Sequence, residues 1–226
     1  MTPLREERRA RLARARLMLL FSPGLCAPGR DPFDVLERAL PLLDAIQVRI
    51  KDPELGSSPA RAVHDCAVRV LELVARLGSP AQVFVNDRVD VAAVLAARGI
   101  VGVHLGADDA PPELARRVLG GDALIGLSTH GNADVARAAA LPVDYLGFGP
   151  VHATATKGYA RGLGAEAAWV AASASPVPVF PIGGIDAENA SELAAVGRAA
   201  VSTAILRADD PAAAAAAIRD ALAAAD

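Results

Sequence analysis

QVFVNDRVDVAAVLAARGIVGVHL, residues 82–105, carries the reading on which the fold depends. Gln82–Asn86 is rich in β-branched and aromatic side chains, and Val91–Ala97 is a short helical stretch. Val101–Leu105 is a second strand, again too apolar to be half exposed. Strands of that kind belong to a parallel sheet with helices on its faces. A strand, a short helix and another strand make one βαβ unit.

The same alternation runs outward in both directions. Leu17–Phe21, Ala45–Ile50, Ala123–Leu127, Tyr145–Phe148, Val177–Ile182 and Ala199–Thr203 read as further strands. Between them Asp34–Leu42, Pro59–Leu77, Pro112–Leu119, Ala133–Ala140, Ala165–Ser173 and Ala187–Val196 read as helices. The alanine run after Asp209-Asp210-Pro211 opens with an N-cap and a proline and is a final helix. Repeated strand–helix units with short connections in 226 residues predict an α/β fold, a (β/α)8 or TIM barrel. An open doubly wound sheet is the alternative. Residues 1–226 are expected to form one domain, with 1–16 a basic helical extension.

That extension holds Arg5, Arg8, Arg9, Arg11, Arg14 and Arg16 beside Glu6 and Glu7. It lacks the apolar stretch of a secretory signal. It also lacks the serines of a transit peptide, so a solvated first helix is expected. Net charge is -3 and aromatics are 4%, which argues against nucleic acid as a partner. No apolar run reaches the ~20 residues of a membrane span. Cys26 and Cys66 are too few and too far apart for a disulfide framework or a usual zinc site. They read as thiols of a reducing, cytoplasmic compartment. Small-molecule substrates are the expected partners, and the sequence leaves homo-oligomer formation open.

In a barrel the chemistry gathers at the C-terminal ends of the strands. Gln47, Arg49 and Lys51 alternate along strand 2 and its end, so all three face one side, the interior. An apolar core would not hold these groups without an anionic partner. Asn86-Asp87-Arg88 follows strand 3, and Asp109 lies just after strand 4. Ser128-Thr129-His130 follows strand 5, and Thr154, Thr156 and Lys157 follow strand 6. Gly183-Gly184 follows strand 7, and Ser202-Thr203 follows strand 8. Asp87 and Asp109 could share one Mg2+, which takes one or two carboxylates plus water and phosphate oxygens. The glycines after strand 7, with Ser202 and Thr203, suit a phosphate monoester. Taken singly, each motif has a bland reading: a turn, a solvated loop or, for His104, a satisfied core histidine. Their joint order on successive strand ends points to two phosphate-bearing ligands, one with a metal.

Taken together, Gln47-Val48-Arg49-Ile50-Lys51, Asn86-Asp87-Arg88, Gly102-Val103-His104-Leu105-Gly106 with Asp109, and Ser128-Thr129-His130 resemble the thiamine phosphate synthase and thiazole tautomerase family. So do Gly147-Phe148-Gly149-Pro150 with Thr154-Ala155-Thr156-Lys157, Ile182-Gly183-Gly184-Ile185 and Ser202-Thr203-Ala204-Ile205. The resemblance implies a transferase of thiamine biosynthesis that joins hydroxymethylpyrimidine diphosphate to thiazole phosphate and releases diphosphate. It implies that Gln47, Arg49, Lys51, Asn86, Ser128 and Lys157 hold the pyrimidine diphosphate, with Asp87 and Asp109 on Mg2+. Thr154, Thr156, Gly184, Ser202 and Thr203 would hold the thiazole phosphate through backbone and hydroxyl donors. Arg49, Lys157, Ser128 and His130 are the candidate catalytic residues. The implied chemistry is dissociative: diphosphate leaves the pyrimidine methylene and the thiazole nitrogen attacks the resulting cation. The chain departs from the family pattern in Leu17–Ser22, at Ala107 and Ala153, and in a longer spacer near Arg98–Val101. Two other readings stand beside this one: a thiazole tautomerase using His130, and a non-catalytic barrel that binds thiamine intermediates.

Overall fold

A computed structural model describes residues 2–51, 59–153 and 161–223. Eight strands run parallel: β1 (Leu17–Phe21), β2 (Ala45–Val48), β3 (Gln82–Asn86), β4 (Ile100–Leu105), β5 (Leu124–Thr129), β6 (Tyr145–Phe148), β7 (Val179–Pro181) and β8 (Ala199–Val201). Each pairs with its neighbour in sequence, and β8 pairs with β1. A parallel bridge between Ile182 and Ala200 joins the remaining edges. The sheet therefore closes into a barrel, and the open doubly wound alternative falls. Helices α2 (Pro32–Ala39), α3 (Ala60–Arg76), α4 (Val89–Leu95), α5 (Pro112–Leu119), α6 (Asn132–Ala138), α7 (Ala165–Ala174), α8 (Thr203–Leu206) and α9 (Pro211–Ala223) follow in chain order after α1 (Pro3–Ala13).

The period of two along each strand divides the core. On β3, Val83 and Val85 pack outward under the helices, while Phe84 packs inward. The inner cluster joins Met18, Ala45, Phe84, Leu124, Tyr145 and Phe180 from six strands. Leu12 of α1 belongs to the same cluster and is fully buried. Burying a leucine contributes about 1.5–3 kcal/mol, so α1 acts as a stopper for the barrel floor.

This differs from the freely solvated helix expected at the N-terminus. Arg5 and Arg9 of α1 reach Asp144, at 2.9 and 3.7 Å. A helix dominated by arginine reads as solvated until its buried partner is known, and that partner is more than a hundred residues away.

Two further departures lie near the C-terminus. The stretch expected as helix Ala187–Val196 forms only a 3-10 turn, Ala190–Leu193. Asp186 Oδ1 accepts the N–H groups of Glu188 and Asn189 at 3.0 and 3.2 Å. Asn189 accepts from Asp186 N–H and donates to Gly184 O. Such local bonds offer the backbone an alternative to a regular helix. Strand β8 ends at Val201 rather than Thr203, because Ser202 caps the short α8. In the longer spacer before β4, pairing shifts from Val83–Ile100 to Phe84–Gly102, leaving Val101 as a bulge.

Candidate active site

Above the apolar floor the inward positions turn polar. Gln47 of β2, Asn86 of β3 and His104 of β4 are buried, at 2%, 5% and 8% exposure, and Ser128 of β5 joins them around a cavity of about 480 Å³. Arg49 lies just beyond β2, and its N–H donates to Phe21 O at 2.9 Å. The extended geometry thus continues past the strand and keeps Arg49 on the Gln47 face. Both line the cavity. Burial pushes the Arg49 guanidinium below its ordinary value, and Asp87 works against that. A partly desolvated cation on a cavity wall is poised for an anion.

Asp87 has φ +63° and is the non-glycine residue with positive φ among those described. Holding that conformation costs on the order of 1–3 kcal/mol, and it marks sites where a side chain must be aimed. Its N–H donates to His104 O at 2.8 Å, and its carboxylate meets Lys51 Nζ at 3.2 Å. Asp109 Oδ2 accepts Gly106 N–H at 2.7 Å. Burial pushes the Asp109 carboxyl up, and contact with Asp87 pushes it further in the same direction. Two carboxylates from different strand ends therefore touch, a juxtaposition that a divalent cation relieves. Among the described residues no group of three or more His, Cys, Asp or Glu could hold a metal. A pair of carboxylates that leaves other positions to water and phosphate oxygens fits Mg2+.

The opposite wall comes from β7 and β8. Gly183, Gly184, Ser202 and Thr203 line the cavity there. Gly183 and Gly184 have φ +104° and +63°, and a Cβ on Gly184 would lie 2.6 Å from Ala153 O. At these two positions the cavity wall is therefore backbone, packed behind against the segment around Pro150–Ala153. Ser202 corrects the expectation in part: its hydroxyl donates to Leu20 O at 3.0 Å. That proton is committed to the barrel. Thr154, Thr156 and Lys157 lie outside the described residues.

His130 is exposed at the rim and lines the cavity. Its Nδ1 lies 2.6 Å from Gly149 O, so that nitrogen donates. Two buried polar atoms near the cavity, Asn86 Nδ2 and Ser22 Oγ, have no hydrogen-bond partner among the described residues. Unsatisfied buried groups are rare in native proteins, and the ones here line a cavity large enough for a ligand.

Residues 17–205 match the sequence model of the family described as thiamine monophosphate synthase. The chain belongs to that family. It is 42% identical over 206 residues to a thiamine-phosphate synthase of Gloeobacter violaceus, covering 90% of this chain and 56% of the relative. The chain thus spans little more than half the length of that relative. It is 40% identical over 211 residues to a thiamine-phosphate synthase of Thermus thermophilus, covering 92% of this chain and 97% of the relative. Among solved structures, a thiamine phosphate pyrophosphorylase from Pyrococcus furiosus superposes with a TM-score of 0.75 at 27% identity. That match covers 94% of this chain and 97% of the other.

Within the family frame, Gln47, Arg49, Asn86, Ser128, His130, Gly184, Ser202 and Thr203 share one cavity. Lys51, Asp87 and Asp109 form a linked acid–base group next to Asn86. Tyr145 opens β6, and nothing in its own strand marks it as part of the site. Tyr145 is fully buried, lines the cavity and touches His104 at 3.1 Å. One signal was available in Gly126 and Gly147, glycines inside strands whose missing side chains imply that something large comes close.

Proposed function

We propose that this barrel is a thiamine phosphate synthase that couples hydroxymethylpyrimidine diphosphate to thiazole phosphate and releases diphosphate. The observation that carries the reading is the meeting of Arg49, Lys51, Asp87 and Asp109 beside a cavity with bared backbone on its far wall. An enzyme that only moves protons on a thiazole has no use for that cluster, so the synthase is preferred to the tautomerase.

On this reading Arg49 and Lys51 neutralise the diphosphate, and Arg49 gains as charge develops on the leaving group. Asn86 Nδ2, buried without a partner, donates to the same ligand. Gln47 and Ser128 hold the pyrimidine ring on the barrel axis. The Gly183-Gly184 backbone and the start of α8 take the thiazole phosphate, so that its ring faces the pyrimidine methylene. Thr154, Thr156 and Lys157 complete these two subsites by family resemblance. Asp87 and Asp109 would hold Mg2+, which supplies Lewis-acid stabilisation to the departing diphosphate. The rest of the rate enhancement is orientation of two bound substrates in a small cavity.

Both cysteines are free and no helix among the described residues is long and apolar enough to cross a membrane. Both facts agree with a cytoplasmic enzyme acting on small molecules. The test is to mix the protein with both substrates and Mg2+ and to follow diphosphate. Release that is lost on Asp87→Ala supports the synthase. Rearrangement of the thiazole alone, lost on His130→Ala, would overturn it in favour of the tautomerase.

A further inference from the structure

Inside the barrel, four strands contribute to one chain of polar contacts. Tyr145 OH lies 3.1 Å from His104 Nδ1, and His104 Nε2 lies 2.9 Å from Ser128 Oγ. Gln47 also hydrogen-bonds the phenol. The barrel makes room for this pair. A Cβ on Gly126 would stand 2.1 Å from Tyr145 Cζ, and a Cβ on Gly147 would stand 3.2 Å from His104 Cε1. Each glycine costs strand stability, so the ring pair is a built feature.

The direction of the hydrogen bonds follows from chemistry. Burial pushes the Tyr145 phenol well above its ordinary range, so it keeps its proton. A phenol is a stronger hydrogen-bond donor than a serine hydroxyl or a neutral imidazole N–H, and an imidazole nitrogen is a stronger acceptor than a phenol oxygen. The phenol therefore gives its proton to His104 Nδ1, 3.1 Å away. A neutral imidazole that accepts at Nδ1 must donate at Nε2. Ser128 Oγ receives that N–H, and its own proton is left to point into the cavity. In the reverse arrangement Ser128 would donate to His104 and show the ligand only lone pairs. The two arrangements thus present opposite faces to a substrate.

We infer that Tyr145 and His104 are positioning residues that fix Ser128 as a hydrogen-bond donor toward an acceptor atom of the first substrate. A pyrimidine ring nitrogen, which carries no hydrogen, is the acceptor that suits it. This inference rests on the proposed placement of the pyrimidine ring against Ser128. Neither residue touches the reacting atoms; they act through the serine.

The test has two arms. The first needs no substrate. In 15N-labelled protein at mildly alkaline pH, His104 is expected as the Nε2–H tautomer, its signals assigned by their loss in His104→Asn. Tyr145→Phe keeps the ring volume, removes the donor to Nδ1, and is expected to shift His104 toward a mixture of tautomers. An Nδ1–H tautomer in the unmodified protein, or a His104 spectrum indifferent to Tyr145→Phe, overturns the inference. The second arm is a double-mutant cycle on turnover. His104→Asn is expected to raise KM for the pyrimidine diphosphate roughly two- to ten-fold, with kcat changed less. In a Ser128→Ala background it adds nothing. Losses that multiply overturn the inference. If the unmodified protein turns over neither substrate, the synthase reading fails, and the tautomer arm still decides the hydrogen-bond direction.

Discussion

The two ends of the barrel treat carboxylates in opposite ways. At the N-terminal end, Asp144 is fully buried and receives Arg5 at 2.9 Å, Arg116 at 2.8 Å and the Ile125 N–H at 2.9 Å. Asp44 receives Arg219 at 2.7 and 3.1 Å and the N–H groups of Arg16 and Leu17 at 2.8 and 3.0 Å. There the protein compensates its own charge and ties α1, α5 and α9 to the barrel. At the C-terminal end Asp87 and Asp109 lie against each other with the part-exposed Lys51 on Asp87, and Arg49 faces a cavity. One end is closed electrostatically, and the other is left for a ligand to close. The difference identifies the working face without reference to any motif.

The contrast can be broken most forcefully at Asp144. Asp144→Ala strands Arg116 and Arg5, and breaking a buried pair costs about 3–5 kcal/mol. Urea unfolding should show that loss, while turnover per folded molecule stays near normal. Asp87→Asn should do the reverse. It removes one of two repelling acids but also the part-exposed Lys51 pair and the charge beside Arg49, so stability should change little. Turnover should fall on the order of a hundred-fold or more, the scale seen when one stabiliser of developing charge is removed. If Asp87→Asn unfolds the protein and Asp144→Ala silences it in the folded state, the assignment of the two ends is reversed.

A smaller effect sharpens the closed end. Burial tends to raise the Asp44 carboxyl, but hydrogen bonds from Arg219, Leu17 N–H and Arg16 N–H outweigh it and leave the group below its ordinary 3.8. A carboxylate depressed in the folded state contributes stability above its unfolded value and loses it as pH falls through the folded one. The contribution of Asp44 should therefore be present at neutral pH and disappear as pH drops below 3.8. Thermal unfolding of Asp44→Asn should show a lower midpoint at neutral pH and a flatter acid limb than the unmodified chain. Equal acid limbs would contradict this.

The sequence exposes these two ends unequally. The open end was legible because chain order maps onto strand order in a parallel barrel. Polar residues just past each apolar run must then collect at one rim, as Arg49, Asn86, Ser128 and Gly184 do. The closed end was not legible. Asp44 and Asp144 sit just before strands, where an acid reads as an ordinary loop residue, and their partners come from distant segments. The same limit explains α1, whose arginines look solvated until Asp144 is placed. It explains the Tyr145–His104 pair too, since a contact across the barrel leaves no local pattern beyond two glycines. The missed 3-10 turn at Ala190–Leu193 has a nearer cause: Asp186 and Asn189 were three residues apart in view, and their capping chemistry outweighed the alanines around them.

The most direct test of the open end is calorimetric titration with inorganic diphosphate, with and without Mg2+. The unmodified protein should bind diphosphate more tightly when Mg2+ is present, and Asp87→Asn and Asp109→Asn should each erase that gain while leaving the metal-free affinity in place. Diphosphate binding that ignores Mg2+ in the unmodified protein, or a Mg2+ gain that survives both substitutions, would contradict the account.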